Sequence, residues 1–240
     1  MALNRLFEKL RSERIQFLTF VNTSFVVAAL FAALSFLGYP TLLLSLFGGL
    51  NPLIGLFLIS LLGFFLFVFL ISKSYFSIYK KGHLKGYLYA SGLAALFGLI
   101  AIIVDFSTRI YSADINVLFP KSLLFYPAMG YVAEIIFQLL PLTLILIVLS
   151  PLSKKISTYR IVWSSIFVAA LPEPFFQISV GSGPLPLWFA VFELVRIFTV
   201  VFSQLTFLKR YDFVTMYWFR IVYYLFWHVL WGYLRLGLLF

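Results

Sequence analysis

Apolar runs of roughly twenty residues dominate the chain, and the basic and helix-breaking residues collect in the short stretches between them. Seven runs, 15–37, 53–71, 86–104, 130–149, 161–180, 187–208 and 213–234, are long enough to cross a bilayer at about 1.5 Å per helical residue. Inside lipid a single segment satisfies its own backbone only as a helix. The pattern therefore predicts an all-α fold, a polytopic transmembrane bundle of about seven spans. Two shorter apolar pieces, "TLLLSLFGGLNP" (41–52) and "SLLFYPAMG" (122–130), contain Gly or Pro and fall short of a span. Each is expected to be interfacial or re-entrant, or to complete an eighth span. Ahead of the first run, Leu3, Leu6, Phe7 and Leu10 recur at helical spacing opposite Arg5, Glu8, Lys9 and Arg11. Residues 1–14 thus read as an amphipathic helix on the membrane surface and 15–240 as the transmembrane domain.

Composition agrees. Of 240 residues 63% are hydrophobic and 11% charged, where soluble domains carry about 25% charged residues. The absence of cysteine excludes disulfides, thiolate metal sites and cysteine nucleophiles. The net charge of +10 does not point to nucleic acid, because no basic domain exists to carry it. Instead the basic residues alternate with the runs. They are dense before 15 (Arg5, Lys9, Arg11, Arg14), at 73–85 (Lys73, Lys80, Lys81, Lys85), at 150–160 (Lys154, Lys155, Arg160) and at Lys209 and Arg210. They are absent from 38–52 and 181–186, and at 105–121 Arg109 and Lys121 are offset by Asp105 and Asp114. The positive-inside rule then puts the N-terminus in the cytoplasm and the C-terminus outside. Trp227, Trp231, Tyr233, Tyr87 and Tyr89 near the run ends are expected to form an aromatic belt. His83 reads as a solvated loop residue.

Ionisable groups within a span cost roughly 2.5–3.5 kcal/mol on insertion scales, so each requires a reason. Here they are Glu134, Glu173, Glu193, Arg196, Arg220 and His228, accompanied by Gln138, Gln177 and Gln204. Counting along the runs puts Glu134, Glu173, Glu193 and His228 at one depth in the outer half, on four consecutive helices, with Arg220 deeper. Carboxylates and an imidazole at one level suit a divalent metal such as zinc that activates water, or a carboxylate that acts as base or proton carrier. The plainer alternative makes Glu193 and Arg196, three apart on one face, a structural ion pair and leaves His228 to hydrogen-bond a glutamate. Pro172 and Pro174 around Glu173 predict either a kink or a broken helix. A retinal Schiff base lacks its lysine within a span. Two axial histidines for haem, a P-loop and a Gly-x-Ser-x-Gly elbow are also missing.

From Tyr131 onward the chain resembles the core of the CPBP/CAAX-protease and PrsW-like intramembrane metalloprotease superfamily, on "YVAEIIFQLL", "SSIFVAALPEPFF" and "FSQLTFLKRYDFVTMYWFRIVYYLFWHVLWGYL". The resemblance matches Glu134 to the second glutamate of a Glu-Glu motif and His228 to a late histidine. Glu173 lies near the polar position of the second motif. It implies Glu134, Glu173 and His228 as catalytic and metal-binding residues. The chain departs from it at Ala133 (first glutamate), Gln138 (Arg or Lys), Leu171 (His or Glu) and Gly232 (Asn in the CAAX branch). Three readings follow. One is a catalytically degenerate member with a 131–240 core, acting in the bilayer as a scaffold or as a subunit bound to another membrane protein. The others are an active metalloprotease and a small proton- or cation-coupled transporter or transporter subunit.

Overall fold

The computed structural model describes residues 12–38, 40–180 and 186–240, so the surface helix expected at 1–14 falls almost wholly outside the described residues. Within them every regular element is helical. The principal helices are α1 (Arg14–Phe36), the short α2 (Pro40–Leu46), α3 (Pro52–Ser72), α4 (Leu84–Thr108), α5 (Ser122–Ala133) and α6 (Leu140–Leu149). They continue as α7 (Thr158–Ala169), α8 (Pro172–Val180), α9 (Leu187–Arg210), α10 (Phe213–Tyr224) and α11 (Trp231–Leu239).

Six helical stretches are long and apolar enough to cross a membrane, among them Ser122–Lys154 and Thr158–Val180. The molecule is a multi-pass membrane protein. Large apolar side chains such as Phe25, Phe57, Leu88 and Val148 face outward, a surface that only lipid covers without cost. The seventh predicted run is present as α10, a π-helical turn at Leu225–Leu230, and α11 in unbroken succession. It is less apolar than the other six because it carries Arg220, His228 and several Tyr and Trp residues. Its position accounts for that composition. Phe213, Met216 and Tyr217 pack into one hydrophobic cluster, with α1, α3, α5, α6, α7 and α9. Phe219, Val222 and Tyr223 pack into a second, with α4. α10 is thus the central helix, and a polar group on it can reach neighbours on either side. Asp212 caps its N-terminus, accepting from the Thr215 amide at 2.8 Å and from the Lys80 amide at 2.9 Å.

Two sequence expectations change, and one open alternative is decided. The piece 122–130 is neither re-entrant nor a separate span. It is the beginning of the fourth crossing, running through Pro127 into a π-helical turn at Glu134–Leu139. Pro141, just past that turn, has no N–H to give to the carbonyl four residues back, which explains why the helix widens there. The fifth run is broken rather than merely kinked: α7 ends at Ala169 and α8 starts at Pro172, whose missing N–H is harmless in a first turn. Trp227 and Trp231 are buried, not interfacial, whereas Tyr89 and Tyr233 are exposed. His83 rests edge-on against Tyr211, with ring centroids 5.5 Å apart.

α4 presents the buried stripe Gly86, Ala90, Ala94, Gly98, Ala101 and Asp105. Small residues let helix backbones approach closely in lipid. A Cβ added at Gly98 would lie 2.7 Å from Cβ of Phe226, an atom with no rotamer by which to move aside. Gly98→Ala is therefore expected to destabilise by about 1–3 kcal/mol. Gly92→Ala, where a Cβ meets nothing within 4 Å, is the control expected to be neutral or better in the same thermal unfolding measurement.

Candidate functional site

The intramembrane polar residues form two adjoining clusters. The first is organised by Arg220, on the central helix. Its Nε donates to Glu134 Oε1 at 2.7 Å. Nη1 donates to Glu173 Oε1 at 2.9 Å and to the Tyr224 hydroxyl at 2.8 Å. Nη2 donates to Glu173 Oε2 at 2.9 Å and to Gln204 Oε1 at 3.2 Å. A guanidinium has five N–H donors, and all five are engaged. Gln204 also donates to Glu134 Oε1 at 2.7 Å, and Gln138 donates to Gln204 at 2.9 Å. Gln177, one turn along α8, donates to Glu173 Oε1 at 3.1 Å. Four segments, the first π turn and helices α8, α9 and α10, are thereby tied together at one buried point.

The second cluster is the pair expected from the sequence. Arg196 donates through Nε to Glu193 Oε1 at 2.8 Å and through Nη2 to Oε2 at 2.5 Å, and both residues are buried. Nη1 donates to the Tyr223 hydroxyl. Tyr111, in the connection after α4, donates to Glu193 Oε1 at 2.6 Å. Burial raises the Tyr111 phenol above its usual range, which keeps it a donor.

His228 belongs to neither carboxylate. Its Nδ1 bonds Asn116 Oδ1 at 2.6 Å, and its ring stacks on Tyr126 with centroids 4.3 Å apart. Because an amide oxygen only accepts, Nδ1 carries the proton and Nε2 is the free lone pair. His228 lies eight residues beyond Arg220, about 12 Å of helical rise. The expected single layer is thus replaced by a different arrangement. Arg220 is level with Glu134 and Glu173, not deeper. Glu134 lies twelve residues into a crossing that starts at Ser122, not four into one that starts at 130, and is deeper accordingly.

A cavity of about 210 Å³ joins the clusters, lined among others by Glu173, Gln177, Arg196, Tyr223, Tyr224 and His228. A wider one of about 470 Å³ shares Tyr111, Gln177 and Glu193 with it and reaches the 110–115 connection and Phe189. Beside this mouth sits a third buried pair not anticipated from the sequence. Arg235 donates to Asp105 through Nε at 2.7 Å and Nη2 at 3.2 Å, and Trp231 donates to the same carboxylate at 2.7 Å.

We found no family model, no curated protein and no solved structure that matches this chain. Its chemistry rests on its own geometry.

That geometry does not fit the expected metal site of Glu134, Glu173 and His228. Glu173 gives both oxygens to Arg220 and Glu134 gives Oε1, so a cation would compete with the guanidinium at three of these four oxygens, and Glu134 Oε2 alone among the four has no partner. His228 points its bonded nitrogen at Asn116. Among the described residues no group of three His, Asp or Glu side chains converges on one point. A zinc ion held by protein requires three or four such donors at about 2.0–2.2 Å.

Proposed function

We propose that this protein is a non-proteolytic membrane scaffold or partner-binding subunit with a CPBP/PrsW-like core. The observation that carries this reading is the saturation of Arg220 by Glu134, Glu173, Gln204 and Tyr224. A general base needs a lone pair within reach of a substrate proton, and a metal-activated water needs an open coordination position. Glu173 offers neither while Arg220 holds both of its oxygens. Gln138 stands where the resemblance expects Arg or Lys, and Arg220 from the central helix supplies the cation instead. The cluster then fastens helices rather than performing hydrolysis. With the N-terminus cytoplasmic, the cavity mouth at 110–115 faces outside, away from the side on which the CAAX branch works.

Metal analysis of the purified protein tests this. After incubation with zinc or cobalt and desalting, we expect well under one equivalent retained, with no difference between the parent, Glu134→Gln and His228→Ala. One equivalent in the parent, lost in both variants, together with cleavage of a membrane-embedded peptide, would restore the protease reading.

A further inference from the structure

The pair that looks purely structural in sequence, Glu193 and Arg196, leaves hydrogen-bond donors unspent on the wall of a cavity. Arg196 uses one N–H of Nη1 on Tyr223, one of Nη2 on Glu193 and its Nε on Glu193. One N–H on each Nη is left over. Tyr223 and Tyr224 each accept from a guanidinium, so each hydroxyl proton remains to be given. All three side chains line the 210 Å³ cavity, Arg196 only 8% and Tyr223 only 6% exposed. The carboxylates on the same wall are occupied. Glu173 accepts from Arg220, Gln177 and Gln138, and Glu193 from Arg196 and Tyr111. The wall is therefore rich in donors, and its neutral acceptors are the Nε2 lone pair of His228 and Oε1 of Gln177, whose amide nitrogen is spent on Glu173. The charge is already more than balanced, since Glu134, Glu173 and Glu193 face Arg196 and Arg220, so a further anion would be repelled. A cation would compete with a guanidinium at each oxygen of Glu173 and Glu193, all four of which already accept from Arg220 or Arg196. Tyr111 and Trp227, ring centroids 5.1 Å apart, add flat aromatic walls.

We propose that this cavity binds a small, uncharged, planar carboxamide. Its carbonyl oxygen accepts from Arg196 and Tyr223, and its N–H donates to His228 Nε2. Binding here goes beyond the scaffold role and does not depend on the superfamily relation, so its failure would leave the zinc result untouched.

Three probes of one shape and different charge decide it: benzamide, benzoate and benzamidinium, applied to the full chain in detergent and read by saturation-transfer NMR and thermal shift. Benzamide is expected to bind, with benzoate and benzamidinium at least tenfold weaker. Tyr223→Phe and His228→Ala each remove one bond to the probe and are expected to weaken benzamide about tenfold. Tyr217→Phe, whose hydroxyl donates to the Pro127 carbonyl at 2.7 Å away from the cavity, controls for loss of a buried phenol and should leave binding unchanged. Preference for either charged probe, or equal benzamide binding in Tyr223→Phe, His228→Ala and Tyr217→Phe, would overturn the assignment.

Discussion

Arg220→Met is expected to lower the stability of the folded protein by about 3–5 kcal/mol, enough to remove most of it from the membrane. The residue is 3% exposed, and both of its carboxylate partners are buried with it. Removing the guanidinium strands two buried acidic groups side by side without a counter-cation. The loss is that of the orphaned partners more than of the bond itself, and this gives the prediction its sharpest form. The triple variant Glu134→Gln, Glu173→Gln, Arg220→Met has no charge left to strand and is expected to regain most of the stability. The two glutamates are not equivalent. Glu134→Gln keeps an oxygen for Arg220 and Gln204 and leaves Arg220 and Glu173 balanced one to one, so it should cost little. Glu173→Gln breaks the two-pronged pairing with Nη1 and Nη2, the stronger geometry, and should cost more. Fluorescence-detected size exclusion of heated membranes extracted in mild detergent ranks the four. If Arg220→Met is no less stable than the triple variant, the cluster does not hold the helices together.

The bundle itself could be read from the sequence because a twenty-residue apolar run leaves few alternatives in lipid. The Glu193 and Arg196 pair could be read because three residues along one helix is a fixed distance. Contacts between helices were another matter. Whether Arg220 meets Glu134 depends on where each crossing begins, and Pro127 made the fourth look eight residues shorter than it is. Pro172 and Pro174 signalled a kink or a break without saying which, and the break between α7 and α8 resets the direction in which Glu173 points. His228 was grouped with the glutamates by depth alone, and depth does not say which neighbour a ring faces. Asn116, its partner, lies in a connection where no periodicity marks it. Asp105 and Arg235 were hidden for a different reason: each lies one residue past the end of an apolar run, so hydropathy assigned both to water. Their position at the same face of the bundle, with opposite charges at the ends of α4 and α11, was the available signal.

Asp105→Ala is expected to be nearly as damaging as Arg220→Met, again by about 3–5 kcal/mol, because it leaves Arg235, fully buried, without a counter-charge. Here the paired replacement should separate two roles. Arg235 also donates to the Ser112 carbonyl at 2.6 Å and the Tyr111 carbonyl at 2.8 Å, so it pins the connection that carries Tyr111 into the cavity wall. The double variant Asp105→Ala, Arg235→Met strands no charge and should recover much of the lost stability. It cannot recover the loop, whose two carbonyls have lost their donor. Hydrogen exchange is therefore expected to rise at 109–116 in the double variant while α4 and α11 remain protected, and benzamide binding should weaken because Tyr111 no longer holds Glu193 in place. Stability restored together with full protection of 109–116 would mean that Arg235 serves α4 alone. A loop that opens while the bundle holds would make this buried pair the support on which the mouth of the cavity is built.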